Sequence, residues 1–575
     1  MTLFCHLPVL ALAAALATAL HLASAEAPPT ITEAIGADTP WTTHTTATAN
    51  AHRGKWLASR KHGDIANESI TRRCLRLSDE GDYIEWRVTR PANAIVIRHS
   101  IPDAPDGGGI RATLTLLVNG QQRQKLALDS RHAWLYGPKE NAQDNNPAAG
   151  GTPHRFFDDA RALITGPDLQ PGDTIRIQKN TTNGDTAPWY VIDLIDLEHV
   201  APPPSPPPDA LSITDFGATP DDGSDDTSAI ETAIARAREL HRPVWLPPGT
   251  YHQSRQIKLP GVTLIGAGPW HTRLIPTGPA TDAMGFPGNA GFRLAGTGAQ
   301  IRDLMIEGNS TARTKPRQHG FSSDSETRDF TIDNVWIEHV KTGMWLGSCA
   351  NGIIRRTRVR NTYADGINLN NTSRSITIEH SHLRNTGDDA LASFSNSGGR
   401  GTDGPCTDIV FRHNTIESPW WAHGIGIYGG TRITIEQNLI YGVSRAPGIK
   451  IAASSFHGKN DWPGDTINVT RNILADCGGT SWGQRWGALW LYTASGDLTH
   501  ITIGQNQIHR PAHDAIKIQG GAGTLDATLT ANTIATNESA DLVIAANARG
   551  HLRITDSPKL RITNHATPDA FVIAE

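Results

Sequence analysis

Residues 409–451 read IVFRHNTIESPWWAHGIGIYGGTRITIEQNLIYGVSRAPGIKI, and they contain the repeated pattern from which the fold is predicted. Short apolar strands, such as Ile409–Phe411 and Ile433–Ile435, are each followed by a polar turn that ends in Asn, and a second apolar strand comes before the next turn. The first strand and its turn recur every 24 to 34 residues. Two strands per period without a helical period predict a solenoid of parallel β-coils.

Side-chain alternation gives the second strand of each coil an inner and an outer face. Pairs such as Ile367 with Leu369 and Ile449 with Ile451 are predicted to point into the core. The outward positions between such pairs are small, aromatic or polar, and they are Trp345, Asn368, Ala392, Gly426, Lys450, Trp490 and Lys517. A line of such residues on one face predicts an extended binding groove.

Asparagines recur at the end of the first turn in coil after coil. They are Asn414, Asn438, Asn472, Asn506 and Asn532. Asparagine tolerates tight turns, and its amide can satisfy buried backbone groups. We therefore predict a stacked structural ladder rather than a catalytic role.

Composition bounds the class of protein. The chain has 575 residues, of which 38% are hydrophobic and 19% charged, and its formal net charge is −5. These values exclude disorder and collagen and allow two to four domains. Mild acidity without a basic block argues against nucleic acid or an anionic membrane surface as a partner. We expect a monomer that binds a neutral ligand.

Four segments follow from the distribution of residue types. Residues 1–25 resemble an export signal, with an apolar run from Leu7 to Leu20, and predict a secreted or periplasmic protein without a membrane span. Residues 26–200 are rich in short strands, including a hairpin signal at Asn119-Gly120, and predict a β-sandwich. Residues 201–210 form a Pro-rich spacer, and residues 211–575 form the β-helix.

The sandwich carries aromatic residues that are more typical of a core than of a binding platform, namely Trp86, Trp134, Tyr136, Phe156, Phe157, Trp189 and Tyr190. Residues 133–137 and 154–158 are the segments where we expect a ligand face. The strand pattern of the whole sandwich, and its position before a second module, resemble those of carbohydrate-binding modules of families 6 and 35.

The β-helix opens with an acidic cluster, residues 221–226, followed by an apolar-periodic stretch from Ala229 to Leu240. A helix there would cap the open end of the coils. We interpret the cluster as turn and helix-cap chemistry, with a structural Ca²⁺ site as the alternative, and expect no other cofactor. This opening resembles the right-handed β-helix superfamily of pectate lyase-like proteins.

The cysteines of the mature chain are Cys74, Cys349, Cys406 and Cys477. Their spacings match no zinc or redox motif, although an exported protein can hold a disulfide. We predict that they are structural or free.

Acidic residues occupy equivalent positions in successive coils. Asp365 precedes Gly366, the pair Asp388-Asp389 precedes Ala390, and His423 takes this position in the next coil. Adjacent strands lie about 4.8 Å apart, so the carboxylates should be neighbours, and their repulsion would keep a proton on one of them. This suits glycosidic hydrolysis, with inversion if a water fits between acid and base and retention if a carboxylate attacks directly. Because Asp514 recurs at the same position, register alone does not exclude simple turns.

Four short strings carry a specific resemblance, and they are Tyr363–Gly366, Asn385–Ala392, Ala422–Gly424 and Gly448–Lys450. In order, they resemble the four motifs of the polygalacturonases of glycoside hydrolase family 28. The double-aspartate string from Arg384 to Asp389 is closer to glycoside hydrolase family 87, which contains α-1,3-glucanases and mycodextranases. That resemblance covers most of residues 211–540.

The resemblance to family 87 implies an inverting hydrolase of nigeran or α-1,3-glucan that uses three aspartates. Carried over from the family pattern, Asp388 is the expected general acid, and Asp365 and Asp389 hold and activate the water. The residues expected to hold substrate or to tune the cluster are His423, Lys450, Asn368, Trp345 and Trp490.

Two alternatives stay open at this stage. A pectin hydrolase of the polygalacturonase type would need cations for uronate groups, and the expected arginine is replaced by Gly448, with Arg445 nearby. A polysaccharide-binding solenoid without activity would share the fold and the aromatic residues. The tryptophans favour a neutral glucan, because their flat faces stack on sugar rings.

Overall fold

The computed structural model describes residues 36–138, 142–278, 289–314, 318–395, 404–454, 462–535, 537–557 and 559–574. The predicted export signal and Cys5 lie outside the described residues. Within the described ranges, no helix is both long and apolar enough to cross a membrane. All of these residues belong to one compact unit.

Two antiparallel sheets form the predicted β-sandwich. One sheet contains Trp41–Thr45, Lys55–Ala58, Arg73–Leu77, Ala94–Ser100, Asp158–Leu163 and Tyr190–Glu198. The other contains Ala51–Arg53, Tyr83–Arg87, Arg111–Val118, Gln121–Asp129 and Thr174–Gln178. Asn119 and Gly120 join two of these strands with positive φ values of 51° and 76°, which confirms the hairpin that their sequence predicts.

The β-helix begins after residues 201–210, which form no strand or helix and are mostly exposed. In the described part of the chain, its first sheet joins 23 strands, from Leu211–Ser212 to Phe571–Ala574. Around the middle of the solenoid, each coil gives this sheet a longer strand, such as Arg374–Glu379 or Thr407–Arg412, and then a short one, such as His382–Arg384 or Thr415–Glu417. All its pairings are parallel, which confirms the predicted parallel β-helix.

The second sheet is formed by one strand from each coil, and 12 such strands are described. They are Ile257–Pro260, Phe292–Ala295, His319–Ser323, Thr342–Gly347, Ile367–Asn370, Leu391–Phe394, Ile425–Tyr428, Ile449–Ala452, Leu489–Tyr492, Ile516–Gln519, Leu542–Ile544 and Ile562–Asn564. Their inward residues, including Ile367, Leu369, Ile449 and Ile451, are fully buried in the continuous core of the solenoid. The opposite face carries the candidate site.

The asparagine ladder has the structural role that the sequence predicts. The Nδ2 of Asn414 donates to Oδ1 of Asn438 at 3.0 Å, and the same contact links Asn438 to Asn472, Asn472 to Asn506 and Asn506 to Asn532. Each of these amides also donates to a backbone carbonyl of a preceding strand. The ladder therefore satisfies buried backbone groups at every turn.

A helix, Thr227–Leu240, covers the first coils, and its apolar residues join the core of the solenoid. The acidic cluster before it accepts backbone N–H groups: Asp226 from Thr219 and His252, and Asp225 from Thr227. These contacts support the interpretation as turn chemistry. The four described cysteines are buried and free.

The sandwich packs directly against the solenoid, and ion pairs cross between them. Arg358 donates to both oxygens of Glu198 at 2.8 Å, and Arg384 donates to Asp196 at 2.8 Å. Although burial raises the pKa of Asp196, Arg384 and Arg360 hold it at about 2. Both carboxylates lie on strand Tyr190–Glu198, which is therefore buried on both faces.

The segments expected to offer a ligand face lie against the solenoid. Phe156 stacks on Trp420 with ring centroids 4.8 Å apart, and Tyr363 donates a hydrogen bond to the carbonyl of His132 at 2.9 Å. Leu135 and Phe156 share one apolar cluster with Trp420 and Trp421. The side chains of Leu135 and Phe156 are thus buried against the coils, and the expectation of a ligand face at residues 133–137 and 154–158 stays a prediction.

A buried ion pair at this contact predicts a dependence of stability on pH. His339 Nε2 lies 2.8 Å from Asp158 Oδ1, and although burial lowers the pKa of His339, Asp158 raises it to about 9. The stabilisation is fully present below the unfolded value near 6.5 and is lost as pH rises through 9. Glu338 also makes the folded state less stable as pH rises, because burial raises its pKa to about 7.

We therefore expect His339→Gln to lower Tm by about 3 °C at pH 6, from a free-energy loss on the order of 3 kcal/mol, and to have little effect near pH 10. Thermal melts of both proteins at the two pH values measure this difference. A gap in Tm of equal size at pH 6 and pH 10 would contradict the assignment.

Candidate active site

The outward positions of the second sheet form one continuous line. Register pairs place Trp345 beside Asn368, Asn368 beside Ala392, Ala392 beside Gly426, and Gly426 beside Lys450. Trp490 and Lys517 follow in the next two coils. This is the column that side-chain alternation predicts, and it forms the floor on which the polar residues of the candidate site lie.

Three carboxylates meet at one end of neighbouring strands. Asp365 lies before strand Ile367–Asn370, and Asp388 and Asp389 lie before strand Leu391–Phe394. A backbone hydrogen bond from Gly366 N to Asp389 O, 2.9 Å long, links the two turns. Carboxylate oxygens from all three residues lie within 4.8 Å of one another.

Asp389 is buried and held as an anion by three hydrogen bonds. His423 contacts Asp389 Oδ1 with Nδ1 at 2.7 Å and donates its backbone N–H to the same oxygen at 3.1 Å, and the Tyr428 hydroxyl donates to Oδ2 at 2.8 Å. Burial alone would raise the pKa of Asp389, but His423, Tyr428 and Lys450 lower it below its ordinary value. Gly426 provides the space, since a Cβ there would lie 2.3 Å from Asp389 Oδ2.

Asp365 is in the opposite electrostatic state. It is buried, and its hydrogen bond from Asn368 Nδ2 is 3.2 Å long. Burial, followed by repulsion from Asp388 and Asp389, raises the pKa of Asp365 well above its ordinary value. Two neighbouring carboxyl groups thus have pKa values shifted in opposite directions, which is the arrangement expected of an acid and a base.

Asp388 is the most exposed of the three, and a residue outside the sequence motifs holds it. Arg313 Nη2 donates to Asp388 Oδ2 at 2.7 Å. Arg313 Nη1 also donates to the carbonyls of Tyr363, at 2.9 Å, and Gly387. One guanidinium group therefore contacts the turn of Asp365 and the turn of Asp388.

Lys450 closes the cluster on the side of the next coils. Its Nζ lies 4.3 Å from the ring centroid of Tyr428 and 5.0 Å from that of Trp490. Burial lowers the pKa of Lys450 to about 8, while Asp389 and Asp388 oppose the shift. Because this ammonium group loses its charge near pH 8, it can tune the carboxylates within the neutral range.

The two tryptophans predicted to bind substrate differ in accessibility. Trp345 is 39% exposed and stacks near His319, whereas Trp490 is only 6% exposed. Trp490 faces outward as predicted, but Trp486 and Tyr492 pack against its ring at 4.5 and 4.9 Å. A substrate can therefore reach the face of Trp345 far more readily than that of Trp490.

A second exposed tryptophan lies 6.4 Å, between ring centroids, from Trp421, the residue that packs against Arg313. Trp482, 43% exposed, follows strand Gly479–Ser481 and lies 4.6 Å from the guanidinium carbon of Arg445. Arg445 is itself buried, and its guanidinium carbon also lies 4.2 Å from the ring centroid of Trp421. The arginine that a pectin hydrolase could use for uronate groups is thus buried against two indole rings.

Two groups of side chains in the described residues have ligand atoms close enough to hold a metal ion. One is the carboxylate cluster of Asp365, Asp388 and Asp389, and the other is Glu307, Glu338 and His339. Positive side chains already lie at both, with Arg313 on Asp388 and Arg273 on Glu307, each at 2.7 Å. The expectation that the protein uses no cofactor stays a prediction.

The structure brings the predicted residues Asp365, Asp388, Asp389, His423, Lys450 and Asn368 together, with Trp345 and Trp490 farther along the same face. Sequence reasoning missed Tyr428 and Arg313. Tyr428 lies two residues after Gly426 on one strand, so alternation could have placed it on the outward face. Arg313 lies between strands Gln300–Glu307 and His319–Ser323, where no periodic pattern gives a signal.

Two family models match the chain. Residues 38–200 match the α-1,3-glucanase catalytic domain D1, and residues 224–546 match the α-1,3-glucanase catalytic domain D2. The sandwich thus matches a model described as part of a catalytic unit, and its resemblance to a carbohydrate-binding module stays a prediction. No curated protein matches the chain.

Solved structures show the same architecture over nearly the whole chain. The Agl-KA catalytic domain is 26% identical, with a TM-score of 0.84 over 94% of this chain and 98% of that one. The catalytic unit of a thermostable family 87 α-1,3-glucanase from Streptomyces thermodiastaticus is 27% identical, with a TM-score of 0.75 over 94% and 96%. A family 87 α-1,3-glucanase catalytic domain in complex with nigerose is 23% identical, with a TM-score of 0.80 over 94% and 99%.

Proposed function

Because the chain belongs to the family of α-1,3-glucanase catalytic domains, which are glycoside hydrolases, we propose that it hydrolyses α-1,3-glucosidic bonds of a glucan at the cluster of Asp365, Asp388 and Asp389. The observation that carries the proposal is the opposite state of two neighbouring carboxyl groups, whose oxygens lie within 4.8 Å of each other. Asp365 has a raised pKa and Asp389 a lowered one, and both lie on the floor of the outward face. An acid and a base side by side are what glycosidic hydrolysis requires.

In the proposed reaction, Asp365 protonates the glycosidic oxygen as the bond to the anomeric carbon breaks. Asp388, which is paired with Arg313, and the anion Asp389 orient the attacking water, and Asp389 takes its proton. This differs from the expectation that Asp388 is the acid, because Asp388 is paired with Arg313 and Asp365 is the carboxyl group that burial and repulsion keep protonated. The proton belongs to a coupled cluster, and Asp365 holds its largest share.

We propose inversion of configuration. Asp389 accepts hydrogen bonds on both oxygens, and Asp388 is bound to Arg313. Carboxylates that are neutralised in this way are weak nucleophiles, so a water molecule is the better attacking group. The carboxylate oxygens lie within 4.8 Å of one another, closer than the spacing of about 6.5–9.5 Å in most inverting glycosidases. Proton NMR of the first product decides: the β-anomer supports inversion, and the α-anomer indicates retention.

Three related structures add support for the site. They are aspartate-to-alanine variants of a family 87 α-1,3-glucanase catalytic domain, in complexes with nigerose or tetrasaccharides, at positions separated by 23 residues and by one residue. Asp365, Asp388 and Asp389 have the same separations, since 388 − 365 = 23 and 389 − 388 = 1.

The exposed indole of Trp482 is proposed to stack on a sugar ring of the substrate. We expect Trp482→Ala to raise KM for α-1,3-glucan oligosaccharides about two- to tenfold and to change kcat by less than about twofold, because the contact is worth about 0.5–1.5 kcal/mol. Trp56→Ala is a matched control, since Trp56 also has an arginine, Arg73, over one face at 3.8 Å but lies on the sandwich. An unchanged KM for Trp482→Ala would contradict the role.

We propose that the protein is exported and acts in the periplasm or outside the cell, because residues 1–25 resemble an export signal and a polymeric substrate cannot enter the cell. Fractionation followed by N-terminal sequencing of the mature protein is expected to find a chain that begins near Glu26. Intact protein in the cytoplasm would contradict the proposal.

The substrate is tested by measuring product release from linear α-1,3-glucan, nigeran and polygalacturonate in parallel. We expect oligosaccharides from α-1,3-glucan, and from nigeran if alternating linkages are tolerated. Turnover of polygalacturonate alone would overturn the proposal, and the buried position of Arg445 argues against that result.

A further inference from the structure

We propose that Arg313 is a positioning residue of the reaction: its ion pair with Asp388 and its hydrogen bonds to the turns of Asp365 and Asp388 hold the three carboxyl groups in the arrangement that leaves the proton of the cluster on Asp365. The inference rests on the proposed function of the three aspartates. No family motif or sequence pattern points to Arg313, and its contacts alone single it out.

The first step concerns the acceptors that Arg313 joins. Its guanidinium donates to Asp388 Oδ2 at 2.7 Å, to the carbonyl of Tyr363 at 2.9 Å and to the carbonyl of Gly387. Tyr363 lies two residues before Asp365, and Gly387 lies one residue before Asp388. The planar fork of an arginine therefore sets the distance between the two acidic turns, which a lysine ammonium could not do with three acceptors so arranged.

The second step concerns what holds Arg313 itself. Its backbone N–H donates to the carbonyl of Gln143 at 2.9 Å, which ties its loop to the sandwich. Its guanidinium carbon lies 4.5 Å from the ring centroid of Trp421, whose ring also packs against Arg445 at 4.2 Å. Arg313 thus packs against an indole ring that a second arginine also contacts, and these contacts restrict the orientation of its guanidinium group.

The third step concerns charge. Three carboxyl groups within 4.8 Å repel one another, and at least one negative charge must be neutralised or removed. His423 and Tyr428 contact Asp389, and Arg313 contacts Asp388. Among the described contacts, the side-chain hydrogen bond to Asp365 comes from the amide of Asn368, which carries no charge, and Arg313 lowers the pKa of Asp365 less than burial and the two neighbouring carboxylates raise it. The proton therefore stays on Asp365, and loss of Arg313 would remove the cation that is paired with Asp388.

The test compares the pH dependence of kcat/KM on α-1,3-glucan for wild type, Arg313→Ala, Arg313→Lys and the control Arg432→Ala. Arg432 also forms a two-point ion pair with an aspartate of a neighbouring coil, Asp408, at 2.6 and 2.8 Å. In contrast to Arg313, the Arg432 side chain lies on the first sheet and is 58% exposed. We expect Arg313→Ala to lower kcat about 100-fold or more with KM changed less than about threefold.

The pH profile distinguishes positioning from a merely structural role. A carboxylate without its cationic partner takes up a proton more readily, so the acidic limb of the Arg313→Ala profile is expected to move up by about one pH unit or more. Arg313→Lys, which keeps the charge, is expected to show a smaller move. Added guanidinium chloride is expected to restore part of the activity of Arg313→Ala and none in Arg432→Ala, which has lost none.

The outcomes separate the inference from the proposed function. An inactive wild type would remove the proposed function. An active wild type with an unshifted acidic limb in Arg313→Ala, or with Arg313→Ala and Arg432→Ala equally active, would overturn the role of Arg313. If Arg313→Ala fails to fold, the shift of Arg313→Lys relative to wild type gives the answer, and an unshifted limb there overturns the inference.

Discussion

Replacing Asp365 by asparagine is expected to lower kcat on α-1,3-glucan by about 10³- to 10⁴-fold while the protein stays folded. Asparagine matches the shape of the protonated carboxyl group, which burial and repulsion from Asp388 and Asp389 favour, so the electrostatic balance of the cluster is nearly unchanged. The variant loses only the proton that the leaving oxygen needs. Steady-state kinetics with circular dichroism of the variant measure both effects.

A substrate with a good leaving group distinguishes the role of the general acid from that of the general base. Nigerosyl fluoride needs little protonation, so Asp365→Asn is expected to hydrolyse it within about tenfold of the wild-type rate. Asp389→Asn lacks the base and is expected to be impaired on both substrates. Equal impairment of Asp365→Asn on the fluoride and the glucan would contradict the assignment of Asp365 as the acid.

Replacing Gly426 by alanine is expected to lower kcat about 100-fold or more, although Gly426 is not itself a reacting group. The added Cβ would lie 2.3 Å from Asp389 Oδ2 and 2.9 Å from the Tyr428 ring, so the carboxylate must move. Movement would break the 2.8 Å bond from Tyr428 and the contacts with His423. A misplacement of about 1 Å is enough for a loss of this size.

Gly278→Ala is the matched control for Gly426→Ala, because no atom of the described residues lies within 4 Å of a Cβ built at Gly278. We expect wild-type kinetics from that variant and similar Tm values for both alanine variants. Wild-type kcat in Gly426→Ala would show that Asp389 tolerates displacement, which would contradict its role in activating the water.

The strands and the groove floor could be predicted because the coils repeat. Alternation fixed Trp345, Asn368, Gly426 and Lys450 on one outward column, and the structure has them in register. The same rule extends to Tyr428, which shares a strand with Gly426. Local periodicity was therefore enough to predict both the fold and the position of most candidate residues.

Features that depend on contacts between distant segments could not be predicted. Arg358 and Arg384 alternate with apolar residues like a solvated face, yet they pair with Glu198 and Asp196 of the sandwich. Likewise, the state of Asp365 depends on its burial and on the partners of its neighbours, neither of which its motif specifies. Contacts between distant segments determine these ion pairs and the pKa of Asp365. Such contacts leave no periodic pattern in the sequence.

The most direct test of the account is the release of reducing ends from linear α-1,3-glucan by wild type, Asp389→Asn and Asp514→Asn. Asp514 occupies the equivalent position of a later coil, directly before Ala515, so the two variants differ in location and not in chemistry. We predict activity in wild type and Asp514→Asn and a loss of about 10³-fold or more in Asp389→Asn. Full activity in Asp389→Asn, or equal losses in both variants, would contradict the central claim that hydrolysis takes place at the cluster of Asp365, Asp388 and Asp389.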